Sequence, residues 1–60
     1  MGTSFLSSEE YDELAHKHYD AGDYDEALVV LREGLAQYPD SVLLQVGLGY
    51  TRVAREEYAW

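Results

Sequence analysis

Apolar residues recur at three- and four-residue spacing through most of this chain, in three blocks separated by helix punctuation. In the first block Tyr11, Leu14, Ala15 and His18 fall on one helical face. Ser7-Ser8-Glu9-Glu10 precedes them with the S-x-x-E spacing of a capping box, in which the serine accepts an amide proton and the glutamate reaches back. Leu6 and Tyr11 flank that box at the two positions of a hydrophobic staple. Gly22 predicts the end of the helix, because glycine adopts a left-handed turn without steric cost.

In the second block Ala27, Leu28, Leu31, Gly34, Leu35 and Tyr38 form one stripe, about the width of a core-facing helix. Asp23 is the expected cap, with Glu26 three residues on. Pro39 closes the helix, since the residue before a proline is pushed toward an extended conformation. Asp40 or Ser41 is expected to cap a third helix carrying Val42, Leu43, Leu44, Val46, Leu48, Tyr50, Val53 and Ala54, running as far as Tyr58 or fraying before it. Gly47 and Gly49 lie inside this helix, each at a cost of roughly 1 kcal/mol relative to alanine. Their presence predicts close backbone approach to another helix. Three helices with no strand pattern predict an all-α fold.

The second half partly repeats the first. A shift of about 34 residues lays Leu14 on Leu48, Ala15 on Gly49 and Tyr24 on Tyr58. Small residues fall where two helices would cross and large ones where they would fill gaps: Tyr11-x2-Leu14-Ala15-x2-His18, then Gly22-Asp23-Tyr24-Asp25-Glu26-Ala27-x3-Leu31-x2-Gly34, then Pro39. This layout resembles the tetratricopeptide repeat, whose pattern reads W-x2-L-G-x2-Y…A-x3-F…P. Relative to it, Tyr11 replaces tryptophan, Ala15 glycine, His18 tyrosine, Leu31 an aromatic residue and Gly34 alanine. In the second, partial repeat Gln45 and Arg52 replace aromatics, while Leu48-Gly49 is kept.

The resemblance implies a helix–turn–helix repeat fold of three helices, about one and a half repeats. Residues 1–6 are then a tail, 7–39 a complete hairpin, and 40–60 the first helix of a following repeat or a cap. The apolar outer face of the third helix favours a piece of a longer array, because capping helices carry a polar outer face. The resemblance also implies protein–protein interaction, through a concave groove lined by the first helix of each repeat. Here that groove would present Glu9, Asp12, His16, Tyr19 and Asp20 from the first helix, and Leu43, Val46, Tyr50 and Val53 from the third. Such a groove is acidic on one side and apolar on the other, suited to a peptide or protein segment with basic and apolar residues. One branch of the family grips a C-terminal carboxylate with lysine, asparagine and arginine. The matching positions here are Asp12, His16 and Gly47, so binding of an acidic tail is not expected.

Composition narrows the partner further. Twelve acidic residues against four basic ones give a net charge of −8. No basic stripe exists for phosphates, so neither nucleic acid nor an anionic membrane surface is an expected partner. Net charge speaks to solubility first and to a basic partner second. Met1 to Leu6 is too short for a signal peptide and carries no basic side chain, and the apolar run Ala27 to Leu31 is far short of a membrane span. The absence of cysteine excludes disulfides and thiolate metal sites and fits a reducing cytoplasm. At sixty residues the core is small, so tight helix packing or self-association must supply stability.

Catalytic chemistry finds little footing. Asp12, His16 and Asp20 share one helical face, but three ligands from one straight helix surround a metal poorly, and a solvated acidic face is the plainer reading. His16 and His18, two residues apart, point in different directions, and His18 reads as a packing residue. The acids Glu9-Glu10, Asp12-Glu13 and Asp23 to Glu26 lie in or near first turns, where negative charge complements the helix dipole. No cofactor, metal or enzymatic activity is expected. Six tyrosines are many for this length. Tyr11, Tyr24 and Tyr38 are expected to pack in the helix pair, while Tyr19 and Tyr50 belong to the groove, where a rigid ring with a polar tip favours binding. On the third helix Val42, Leu44 and Leu48 are expected to pack inward. Leu43, Val46 and Val53 stay exposed, so a homodimer or longer stack is the alternative functional reading.

Overall fold

The computed structural model describes residues 6–57. They form three α-helices in chain order: α1 (Ser8–Asp20), α2 (Tyr24–Gln37) and α3 (Val42–Glu57). The tail before Leu6 and the overlay of Tyr24 on Tyr58 fall outside the described residues.

Each helix begins and ends where its local chemistry directs. Ser7 caps α1 reciprocally: the Glu10 amide donates to Ser7 Oγ at 3.1 Å, and the Ser7 amide donates to Glu10 Oε1 at 2.8 Å. At the other end Gly22 has φ +82°. The Asp23 amide donates to the His18 carbonyl at 2.8 Å and the Gly22 amide to the Tyr19 carbonyl at 3.0 Å. This pair of bonds is the Schellman closure, and it satisfies carbonyls that the helix end would leave bare. Of the two candidate caps for α3, Ser41 makes the bond, its Oγ accepting from the Leu44 amide at 3.3 Å.

Asp23 departs from expectation. It occupies the cap position of α2, but its side chain makes no capping hydrogen bond. Its backbone lies at φ −89°, ψ 67°, outside the extended geometry that aims a cap side chain at the first turn. The Schellman turn sets that backbone, so one residue serving two helix ends satisfies only the first.

The core lies where the three helices meet. Tyr11 and Ala15 of α1, Ala27, Val30 and Leu31 of α2, and Leu44 of α3 form one buried cluster, with Leu14, Leu35 and Leu48 packed around it. Ala27 and Leu44 are fully buried. Val30, which the α2 stripe omits, is buried as a member of this same cluster. Gly34 marks the tightest approach: a Cβ there would stand 2.8 Å from Leu44 Cδ1 and 2.9 Å from Tyr11 Cγ.

Three packing expectations are corrected. Val42 does not pack inward; it is 68% exposed, one residue past the cap and on the outer side of the first turn. Gly49 does not mark a close approach, since nothing lies within 4 Å of a Cβ built on it. Gly47 does approach α2, with Leu31 Cδ2 3.3 Å from its virtual Cβ. Tyr38 packs at the rim of the pair rather than inside it, 36% exposed. Its ring meets the Tyr11 ring edge-on at 6.4 Å, and its hydroxyl donates to the Leu6 carbonyl at 2.8 Å, tying the start of α1 to the end of α2. Tyr24 and His18 are half-buried. An exposed Arg55–Asp25 ion pair links α3 to the first turn of α2.

Candidate functional site

Packing of Tyr11 and Ala15 against α2 decides what the rest of α1 presents. Asp12, His16 and Tyr19, on the adjoining flank, turn toward α3. There the small residues Gly47, Thr51 and Ala54, at i, i+4 and i+7, allow α3 to come near. Asp12 Oδ1 lies 3.6 Å from the virtual Cβ of Gly47, and the Tyr19 and Tyr50 rings stand 6.0 Å apart at 53°. The two helices therefore run in the same general direction, with α2 behind them.

Between them opens a cleft of about 340 Å³, lined by Asp12, Ala15, His16, Tyr19, Asp20, Leu31, Gly47, Tyr50 and Thr51. Leu31, almost wholly buried, contributes from α2. Thr51 is a buried hydroxyl in the wall, and it donates to the Gly47 carbonyl at 2.7 Å. That bond satisfies the hydroxyl within its own helix, so it adds no free polar group to the cleft. His16 Nε2 lies 3.5 Å from Asp12 Oδ1 one turn away, an ion pair whenever the imidazole is protonated. The Tyr19 ring also meets Tyr24 edge-on at 5.1 Å, so three tyrosines run in series from α2 through α1 to α3.

Of the nine groove residues named from the sequence, Asp12, His16, Tyr19, Asp20 and Tyr50 line this cleft together. Val53 lines a more open hollow beside it, which shares Tyr19 and Tyr50. Glu9, Leu43 and Val46 line neither. Leu43 and Val46 are exposed on α3. Gly47 and Thr51 were missed as lining residues. The stripe of small residues at helical spacing was their signal, but it is visible only along α3 and does not say which neighbour it meets.

Among the described residues no group of three or more histidine, cysteine, aspartate or glutamate side chains is placed to hold a metal ion. No helix among them is long and apolar enough to cross a membrane. What the cleft offers is carboxylate charge beside tyrosine rings, over the buried Leu31.

No similar curated protein and no similar solved structure was found for this chain. The family model for the tetratricopeptide repeat matches residues 8–59. That span takes in all three helices and the turns whose chemistry joins them, and the chain belongs to the tetratricopeptide-repeat family.

Proposed function

We propose that this chain binds a peptide or protein segment in the cleft between α1 and α3. Membership of the tetratricopeptide-repeat family makes it a protein-interaction module in general terms, and such repeats are generally non-catalytic. The observation that supports the particular surface is the cleft itself, where Asp12 and Asp20 stand with Tyr19 and Tyr50 over a buried leucine. Carboxylates with aromatic and apolar walls favour a segment carrying both basic and apolar side chains. The test is titration of the isotopically labelled chain with a panel of blocked ten-residue peptides of varied charge and apolar content. Basic–apolar peptides should shift amide resonances of residues 12–20 and 47–53. Shifts confined to other surfaces would reject this cleft as the site.

A second reading, self-assembly, is favoured by a different observation. Leu43, Val46, Tyr50 and Val53 follow one another at spacings of three, four and three, the repeat of a coiled-coil seam, and all four are exposed. With Arg52 and Arg55 balanced by Glu56 and Glu57, α3 is neutral, and the net charge of −8 resides in the rest of the chain. An α3-to-α3 contact thus brings apolar residues together while keeping the acidic surfaces apart. Light scattering across a wide concentration range tests it. A mass that stays monomeric throughout would remove this reading and leave the seam available to a different partner.

A further inference from the structure

We infer that the α1–α3 cleft is a receptor for one arginine side chain of its partner; this rests on the cleft being the binding surface, and names the group it reads. Carboxylates alone on an acidic chain would not carry the inference. The rings do. Tyr19 and Tyr50 stand 6.0 Å apart and tilted at 53°, with the faces of two different helices bordering one hollow. A cation within about 6 Å of a tyrosine ring is attracted by its quadrupole, and arginine is the commoner partner because its guanidinium is planar and stacks. Beside the rings, Asp12 and Asp20 supply the counter-charge, and Asp12 is mostly withdrawn from solvent, which reduces screening.

The floor has room for such a group. Gly47 projects nothing into the cleft, whereas a side chain there would begin in contact with Asp12 Oδ1, 3.6 Å away, and take up part of the hollow. Thr51 has its hydroxyl turned to its own helix. The hollow therefore combines an apolar base for the arginine stem, two tyrosine rings at its border, and carboxylate acceptors for the fork of N–H donors. A lysine ammonium is a point charge that uses the carboxylates but gains less from the tilted rings. His16, the other basic group at the site, faces Asp12 and competes for that carboxylate when protonated.

The test uses three acetylated and amidated ten-residue peptides, identical except for one central residue: arginine, lysine, or citrulline, which keeps the guanidinium's shape without its charge. Binding is followed by amide shifts in the cleft. Arginine should bind about five-fold or more tighter than citrulline, and tighter than lysine. Tyr50→Leu, at an exposed position that leaves the core intact, should abolish the preference of arginine over lysine, and Tyr50→Phe should restore it. Diffuse attraction to an acidic chain would survive Tyr50→Leu, so a preserved preference overturns the inference. If all three peptides bind equally in the cleft, the arginine receptor fails and the binding surface stands. If arginine binds but shifts only residues outside the cleft, both fail.

Discussion

Gly34 of α2 has no side chain in the space that Tyr11 of α1 occupies: a Cβ there would lie 2.9 Å from the tyrosine Cγ and 3.0 Å from its Cβ. Those atoms are at the root of a buried side chain and cannot swing aside. Gly34→Ala gains about 1 kcal/mol of helix propensity but forces α1 and α2 apart, at a cost of about 1–3 kcal/mol for overpacking. The net expectation is a lower urea midpoint.

Gly49→Ala should do the opposite. It is also a mid-helix glycine, but its virtual Cβ meets nothing within 4 Å. The substitution should stabilise by about 0.5–1 kcal/mol, read as a raised urea midpoint with an unchanged slope. A fall in the midpoint would show that Gly49 meets a neighbour in solution.

The ends of α1 make a second pair. Ser7→Ala removes the acceptor for the Glu10 amide and should cost about 1 kcal/mol. Gly22→Ala places a Cβ at φ +82° and should cost about 1–2 kcal/mol, although the space around it is open. Thermal unfolding followed by circular dichroism distinguishes both from a control at the exposed Ala36, where Ala36→Ser should change little.

Val46→Glu puts a charge in the middle of the outward seam of α3, where the side chain is 61% exposed. The helix content should be unchanged. Any dimer mass seen for the parent chain at high concentration should fall to the monomer mass, by light scattering. A dimer that persists would place its interface elsewhere.

Tyr50 belongs to both surfaces, bordering the cleft and lying on the seam. Peptide binding and α3-to-α3 association should therefore oppose each other. Saturating arginine peptide should shift a concentration series toward monomer, and by linkage the apparent affinity for the peptide should fall as protein concentration rises. Independence of the two would mean that Tyr50 is shared in position only.

Helix existence, the caps at Ser7 and Ser41 and the main packing faces were legible along the chain, because they depend on neighbours within a few residues. The capping box at Ser7, the left-handed Gly22 and the stop at Pro39 are local chemistry. Periodicity then picks out Tyr11, Ala15, Ala27, Leu31 and Leu44 as buried. Asp12, His16, Tyr19, Asp20 and Tyr50, which only the resemblance placed together, line one cleft in the structure.

What tertiary structure decided was which small residue meets which helix, and which apolar residues are covered. Gly34 and Gly49 are both helix-interior glycines, and nothing local separates one pressed on Tyr11 from one facing open space. Val30 is buried although it lies outside the α2 stripe, and Val42 is exposed although it is as apolar, because burial depends on where neighbouring helices lie. Asp23 lost its cap bond to a turn built from the preceding helix. The sequence by itself determined three helices and a shared core, through short-range hydrogen bonding and burial of one stripe per helix. The angle at which the third helix crosses, and with it the cleft, depends on contacts between residues far apart in the chain, and only the folded structure resolves them.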